Sequence, residues 1–148
     1  MTEQEESQLA SAVLMIRPAR FASNPLTAAS NRFQGRNPDE PAQQQRDAAR
    51  EFDGLREALE AAGIDVVAVR DTPEPEKPDA IFPNNWVSFH ADGRVVLYPM
   101  LAPNRRTERR MDIIEMLGRE YGFLVREIID LSVHEADGHF LEGTGSLV

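Results

Sequence analysis

The chain contains no cysteine in its 148 residues. That absence removes disulfides, thiolate metal sites and any thiol nucleophile from what these residues can do by themselves. Aromatic residues are sparse, with one tryptophan and two tyrosines, so the segment that carries the tryptophan stands out. No apolar run approaches the ~18 residues that a membrane-crossing helix needs. Positive charge is also short. Sixteen Lys and Arg face 25 Asp and Glu, a net charge of −9, which argues against nucleic acid or an anionic membrane as partner because a polyanion is repelled over most of the surface. The local exception is the cluster Arg105, Arg106, Arg109 and Arg110, whose ordinary reading is a solvated helix face.

What is present is the composition of a soluble globular domain, 41% hydrophobic and 28% charged, in a chain long enough for one core. Met1 to Ser11 is acidic and polar, with neither a basic start nor an apolar centre. It reads as a disordered lead rather than a signal peptide, and the expected location is cytoplasmic. Residues 12–148 form the expected domain.

Ala12 to Ile16 is a continuous apolar run closed by Arg17-Pro18, the pattern of a buried strand. Phe21 to Gln45, rich in Asn, Pro and Gln, reads as a long loop of the kind that often contributes to a site. Ala49, Phe52, Leu55 and Leu59 follow helical spacing within Arg46 to Ala62, with Gly63 placed to end the helix. Ile64 to Val69 is a valine-rich strand, and the proline-dense Pro73 to Pro78 that follows lacks the donors for regular structure. Trp86 to His90 and Arg94 to Tyr98 are strands joined through Ala91-Asp92-Gly93, a hairpin signal. Asn104 is positioned to cap a helix from Arg105 to Tyr121, with Ile113 or Ile114, Leu117 and Tyr121 as its inner stripe and Gly122 at its end. Phe123 to Ile129 is again a strand.

Between the two valine-rich strand regions lies Pro78-Asp79-Ala80-Ile81-Phe82-Pro83-Asn84-Asn85-Trp86. One acid and two adjacent carboxamides in an apolar segment read either as a turn, which Pro83 would suit, or as a polar site set into a core. A buried amide without partners costs about 1–3 kcal/mol, so the second reading requires partners elsewhere in the chain. A similar pattern returns 58 residues on, pairing Asp79 with Asp137, Phe82 with Phe140, Asn84 with Glu142 and Val87 with Gly145. The helix-ending glycines Gly63 and Gly122 are offset by 59. A recurrence of this length signals a repeated architecture, and by its register the second unit stops at Val148 before its hairpin closes.

Four ordered segments, Met15-Ile16-Arg17-Pro18, Pro78 to Val87, Tyr98 to Arg106 and Phe140-Leu141-Glu142-Gly143-Thr144-Gly145-Ser146, resemble the guanidino-group-modifying, or pentein, superfamily, and within it most the citrulline-utilisation hydrolases often labelled amidinotransferase. The resemblance implies an α/β-propeller of repeated strand-helix-hairpin units, of which about two of five blades would be present. It implies hydrolysis or transfer at the ureido or guanidino carbon of a small citrulline- or arginine-like amino acid, through a cysteine nucleophile, a histidine and an acid, without metal or other cofactor. Residue by residue, it makes Asp79 a binder of the guanidino or ureido end and puts Asn84 and Asn85 in the places of an acidic pair. It makes Arg105 the holder of the substrate α-carboxylate, and Glu142 the catalytic acid that orients the histidine. Thr144 and Gly145 depart from the Glu-Gly-Gly-Asp pattern of relatives. The histidine and cysteine are expected beyond Val148, while His90, His134 and His139 read as surface or core residues.

The carboxamides bear on the substrate. A guanidinium only donates hydrogen bonds, whereas a neutral ureido group also offers a carbonyl acceptor to an Asn amide. Citrulline is therefore the better match, with arginine deiminase, dimethylarginine hydrolase and amidinotransferase activities as alternatives. From a different class comes a non-catalytic binding or self-associating module, or a truncated pseudo-enzyme, which the missing thiol also permits.

Overall fold

The computed structural model describes residue 10, residues 12–28 and residues 40–143. Most of the acidic lead, the middle of the Asn-rich loop, and Thr144, Gly145 and Val148 therefore lie outside the described residues. The chain is mixed α/β, built from two small sheets with a parallel unit in each. Strand β1 (Ala12–Arg17) runs into helix α1 (Pro41–Ala61), which returns the chain to β2 (Asp65–Arg70). β1 and β2 pair in parallel from Ala12 opposite Asp65 to Arg17 opposite Arg70. The second sheet has the order β3 (Val87–Phe89), β4 (Arg94–Leu97), β5 (Glu127–Asp130). β3 and β4 form the expected antiparallel hairpin, and β4 pairs in parallel with β5 across helix α2 (Met111–Tyr121). Gly93 closes the hairpin at φ 87°, where an added Cβ would lie 2.8 Å from the Leu124 carbonyl oxygen.

Two apolar clusters share the interior. Trp86, Val87, Val95, Leu97, Met100 and Ile114 form one, and Ile16, Val67, Ala80, Ile113 and Leu117 the other. Phe89 and Phe123 pack against both, meeting edge to face at 5.0 Å between ring centroids. Helix α2 thus serves both clusters. Ile113 and Ile114 are both buried, because adjacent positions splay to either side of a helix that has core on two flanks. Tyr121, expected on the inner stripe, is exposed at the last helical position, where Gly122 turns the chain at φ 68°. Among the described residues no helix is long and apolar enough to cross a membrane.

Helix boundaries differ from expectation for identifiable reasons. α1 begins at Pro41, a residue suited to a first turn because its missing N–H is not needed there; the end of the expected loop is therefore helical. Phe52 is buried on α1 while Leu55 is exposed. With Leu59 they line a cavity of about 1030 Å³ that also touches Phe82, Asn84, Ser88, Tyr98 and Gly143. The helix expected from Arg105 is split. Pro103–Glu108 is a 3₁₀ segment, Arg109 and Arg110 are extended, and α2 starts only at Met111. Asn104 lies inside that 3₁₀ segment instead of capping a helix, and its amide Nδ2 donates to Asn24 Oδ1 at 3.0 Å.

Candidate functional site

The split before α2 determines the site. A continuous α-helix would spread the four arginines along one surface; the 3₁₀ segment and the extended pair after it turn them toward acids from other elements. Arg105 is 5% exposed, which corrects the solvated-face reading. Its Nε and Nη2 donate to the two carboxylate oxygens of Glu108, each at 3.0 Å. Nη1 donates to Glu142 at 3.2 Å and Nη2 to Asn85 Oδ1 at 3.2 Å, while Asp79 approaches Nε at 3.7 Å. Asp79 in turn accepts from the buried Asn24 amide at 2.6 Å. Residues from three separate segments therefore converge on one guanidinium, with Asn24 behind Asp79.

The electrostatics follow from burial. For Glu108, desolvation pushes the pKa up; the hydrogen bond and charge of Arg105 pull it back, and the negative charges of Asp79 and Glu142 add to the rise. The outcome is a value of about 7. For Arg105, desolvation works against the charge but is outweighed by the bond to Glu108 and by the fields of Glu108, Asp79 and Glu142, so its pKa is raised. One cation thus stands against three carboxylates, a local surplus of negative charge that carboxylates at positions 84 and 85 would enlarge.

Of the five residues singled out from sequence, the structure brings Asp79, Asn85, Arg105 and Glu142 into one cluster. Asn84 stands beside it and lines the large cavity. Its carbonyl faces Gly143, where any Cβ would collide with it, so the two repeated motifs touch at this point. Two residues of the cluster were missed. Glu108 is three residues after Arg105, a spacing that pairs side chains on a helical surface and was open to recognition. Asn24 sits in the Asn-rich loop expected to contribute to a site, but no pattern singled it out from the other residues of that loop. The neighbouring arginines are also committed: Arg109 makes two bonds to Glu135, at 2.6 and 3.1 Å, and Glu135 further accepts from the Met100 N–H at 2.7 Å. Arg106 lies over the Phe140 ring at 5.6 Å. These contacts hold the segment that carries Glu142 against the hairpin.

Asn85 is oriented by its partner. Because Arg105 can only donate, the carboxamide presents Oδ1 to it and directs Nδ2 elsewhere as a donor. Among the described residues, the side chains able to hold a metal ion are His134, Asp137 and His139, all exposed; none hydrogen-bonds or ion-pairs with Arg105.

The motifs that resemble the guanidino-group-modifying superfamily thus supply the carboxylates and carboxamides gathered around a buried guanidinium in this mixed α/β chain. Within that superfamily, the family model described as N,N dimethylarginine dimethylhydrolase, eukaryotic, matches residues 17–148. The chain belongs to this family. No curated protein and no solved structure matches it.

Proposed function

We propose that the chain supplies the substrate-binding part of a hydrolase acting on the ureido or guanidino carbon of an arginine-like amino acid, with a citrulline-type ureido group as the preferred substrate. The observation that carries this reading is the convergence of Asp79, Asn85 and Glu142 around Arg105, in a chain of the dimethylarginine dimethylhydrolase family. Asp79 receives the N–H groups of the substrate's distal end. Asn85, its oxygen engaged by Arg105, offers Nδ2 to the ureido oxygen, and Asn84 lines the approach from the cavity. Glu142 orients a histidine that, like the cysteine nucleophile, comes from outside these 148 residues. The units β1-α1-β2 and β4-α2-β5 are successive blades of the propeller.

Arg105 can hold a substrate α-carboxylate only by leaving its present acids. The carboxylate and the ureido carbon of an extended citrulline stand roughly 7 Å apart, whereas Arg105 lies 3.7 Å from Asp79. In the arrangement described it organises the acids, and the α-carboxylate role requires it to swing away from Glu108.

A second reading has its own support. The surplus of carboxylates around Arg105 suits a cationic ligand, and the matching family is named for dimethylarginine, so a methylated arginine is the alternative substrate. Isothermal titration of the chain with citrulline, arginine and dimethylarginine separates the two. Citrulline is expected to bind most tightly, and Asn85→Asp to weaken it by about tenfold, ~1.4 kcal/mol, while strengthening the cationic ligands. Tighter binding of dimethylarginine by the unaltered chain would establish the second reading. In either case the chain itself releases no ammonia, because it contains no thiol.

A further inference from the structure

We propose that His134, Asp137 and His139 bind one divalent transition-metal ion, of the zinc class, on the surface of the segment that carries Glu142. The three ligand atoms already lie within 4.8 Å of one another. Two imidazoles and one carboxylate are borderline donors, suited to zinc, cobalt, nickel or copper and poorly suited to magnesium or calcium, which favour all-oxygen sets. Zinc bonds such ligands at about 2.0–2.2 Å, so its ligand atoms stand closer together than this outer limit. Closing the gap takes only small rotations of exposed side chains.

The backbone holds the three residues in place independently of a metal. They sit at the end of the 3₁₀ helix Leu131–Asp137. Its first turn is fixed by Asp130, whose carboxylate accepts from the Ser132 N–H at 2.9 Å and from the Ser132 hydroxyl at 2.5 Å. At its other end Gly138 turns the chain at φ 73°, its N–H donating to the Glu135 carbonyl, and the His139 N–H donates to the His134 carbonyl at 3.1 Å. That last bond is what folds His139 back beside His134. Glu135, within the same helix, is anchored to Arg109 and to the Met100 N–H. No other described side chain hydrogen-bonds or ion-pairs with the three, so a metal would displace no existing bond.

This site lies apart from the acids around Arg105 and supplies no catalytic group. Its effect is on order: an ion joining His134 to His139 pins the turn from which the chain runs through Phe140 to Glu142.

Titration of the tag-free chain with zinc chloride tests the proposal, with magnesium and calcium chloride as controls. One zinc ion per chain is expected, with no saturable magnesium or calcium binding. His134→Ala, His139→Ala and Asp137→Asn should each weaken zinc by at least about tenfold, and His90→Ala should leave it unchanged. Imidazole resonances of the unaltered protein provide a readout that needs no variant: zinc should shift those of His134 and His139 and not those of His90. The proposal is overturned if zinc does not saturate below millimolar concentration, if the combined variant binds as tightly as the parent, or if the His134 and His139 resonances stay in place.

Discussion

The two parallel units share a plan and differ in what surrounds them. In each, a helix ended by glycine connects paired strands; the chain then reaches the Asp-x-x-Phe motif, through an irregular loop in the first unit and through the 3₁₀ helix Leu131–Asp137 in the second. In the first unit the motif aspartate is half-buried: Asp79 accepts from buried Asn24 and faces Arg105. In the second, Asp137 is exposed beside two histidines. Their ion pairs differ in the opposite sense, open in the first unit and buried in the second. Arg17 on β1 makes two bonds to Asp53 on α1, at 2.8 and 2.7 Å, with both side chains substantially open to solvent. Arg105 makes its two bonds to Glu108 where the Glu108 side chain is fully buried. The recurrence therefore accompanies a shared order of helix, glycine and strand, and the chemistry of each copy is set by what packs on it.

The largest effect that would break this comparison comes from Arg105→Ala. It leaves Glu108 buried without its counter-charge and removes the partner of Asp79 and Glu142, a loss of about 3–5 kcal/mol in urea unfolding. The geometrically similar but exposed pair should be almost silent, with Arg17→Ala costing about 1 kcal/mol or less. Equal losses in the two variants would mean that burial is not what separates the units.

Glu108 gives the next effect, and its sign is opposite to that of an ordinary ion-paired acid. Its folded pKa, about 7, lies above the ordinary glutamate value of 4.5. The folded chain therefore holds this proton more tightly than the unfolded chain. The resulting stability is fully present below about pH 4.5 and is lost as pH rises toward 7, by up to ~3 kcal/mol. Asp53 and Asp112, whose pKa values are lowered from 3.8, mainly by hydrogen bonds from Arg17 and Arg110 respectively, act in the other direction and only at more acidic pH. Unfolding free energies measured between pH 5 and 8 should fall for the parent and run flatter for Glu108→Gln. Parallel curves would remove Glu108 as the cause.

Sequence patterns reached the β-elements and the contents of the site better than its organisation. Valine-rich runs, the Ala91-Asp92-Gly93 turn and the glycines after each helix located strands and helix ends to within a few residues, because period and turn chemistry are local properties. The break between Glu108 and Met111 was not legible: Arg-Arg-x-Glu-Arg-Arg has good helix propensity throughout, and only the pull of Glu108, Glu135 and the Tyr98 and Met100 carbonyls on the arginine side chains explains their placement. Asn24 was unreadable for a related reason, since its partners Asp79 and Asn104 are 55 and 80 residues away. The Asn84-Asn85 pair, by contrast, announced that partners must exist, and Arg105 is one of them.

The smallest effect sharpens the comparison most directly, because it exchanges the same residue type at equivalent points of the two units. Asp79→Ala removes the charged acceptor of the Asn24 amide, whose residue is 1% exposed. Loss of a charged acceptor from a buried donor costs about 1–3 kcal/mol, partly offset here because Asn104 Oδ1 lies 3.5 Å from the same amide and one of the carboxylates crowded around Arg105 is also removed. Asp137→Ala removes an exposed carboxylate at the end of a 3₁₀ helix and should stay within about 0.5 kcal/mol in the absence of metal. Equilibrium urea unfolding of both variants in chelator-treated buffer measures the difference. If Asp137→Ala costs as much as Asp79→Ala under those conditions, the two motifs share a structural role after all, and the view that packing alone distinguishes them fails.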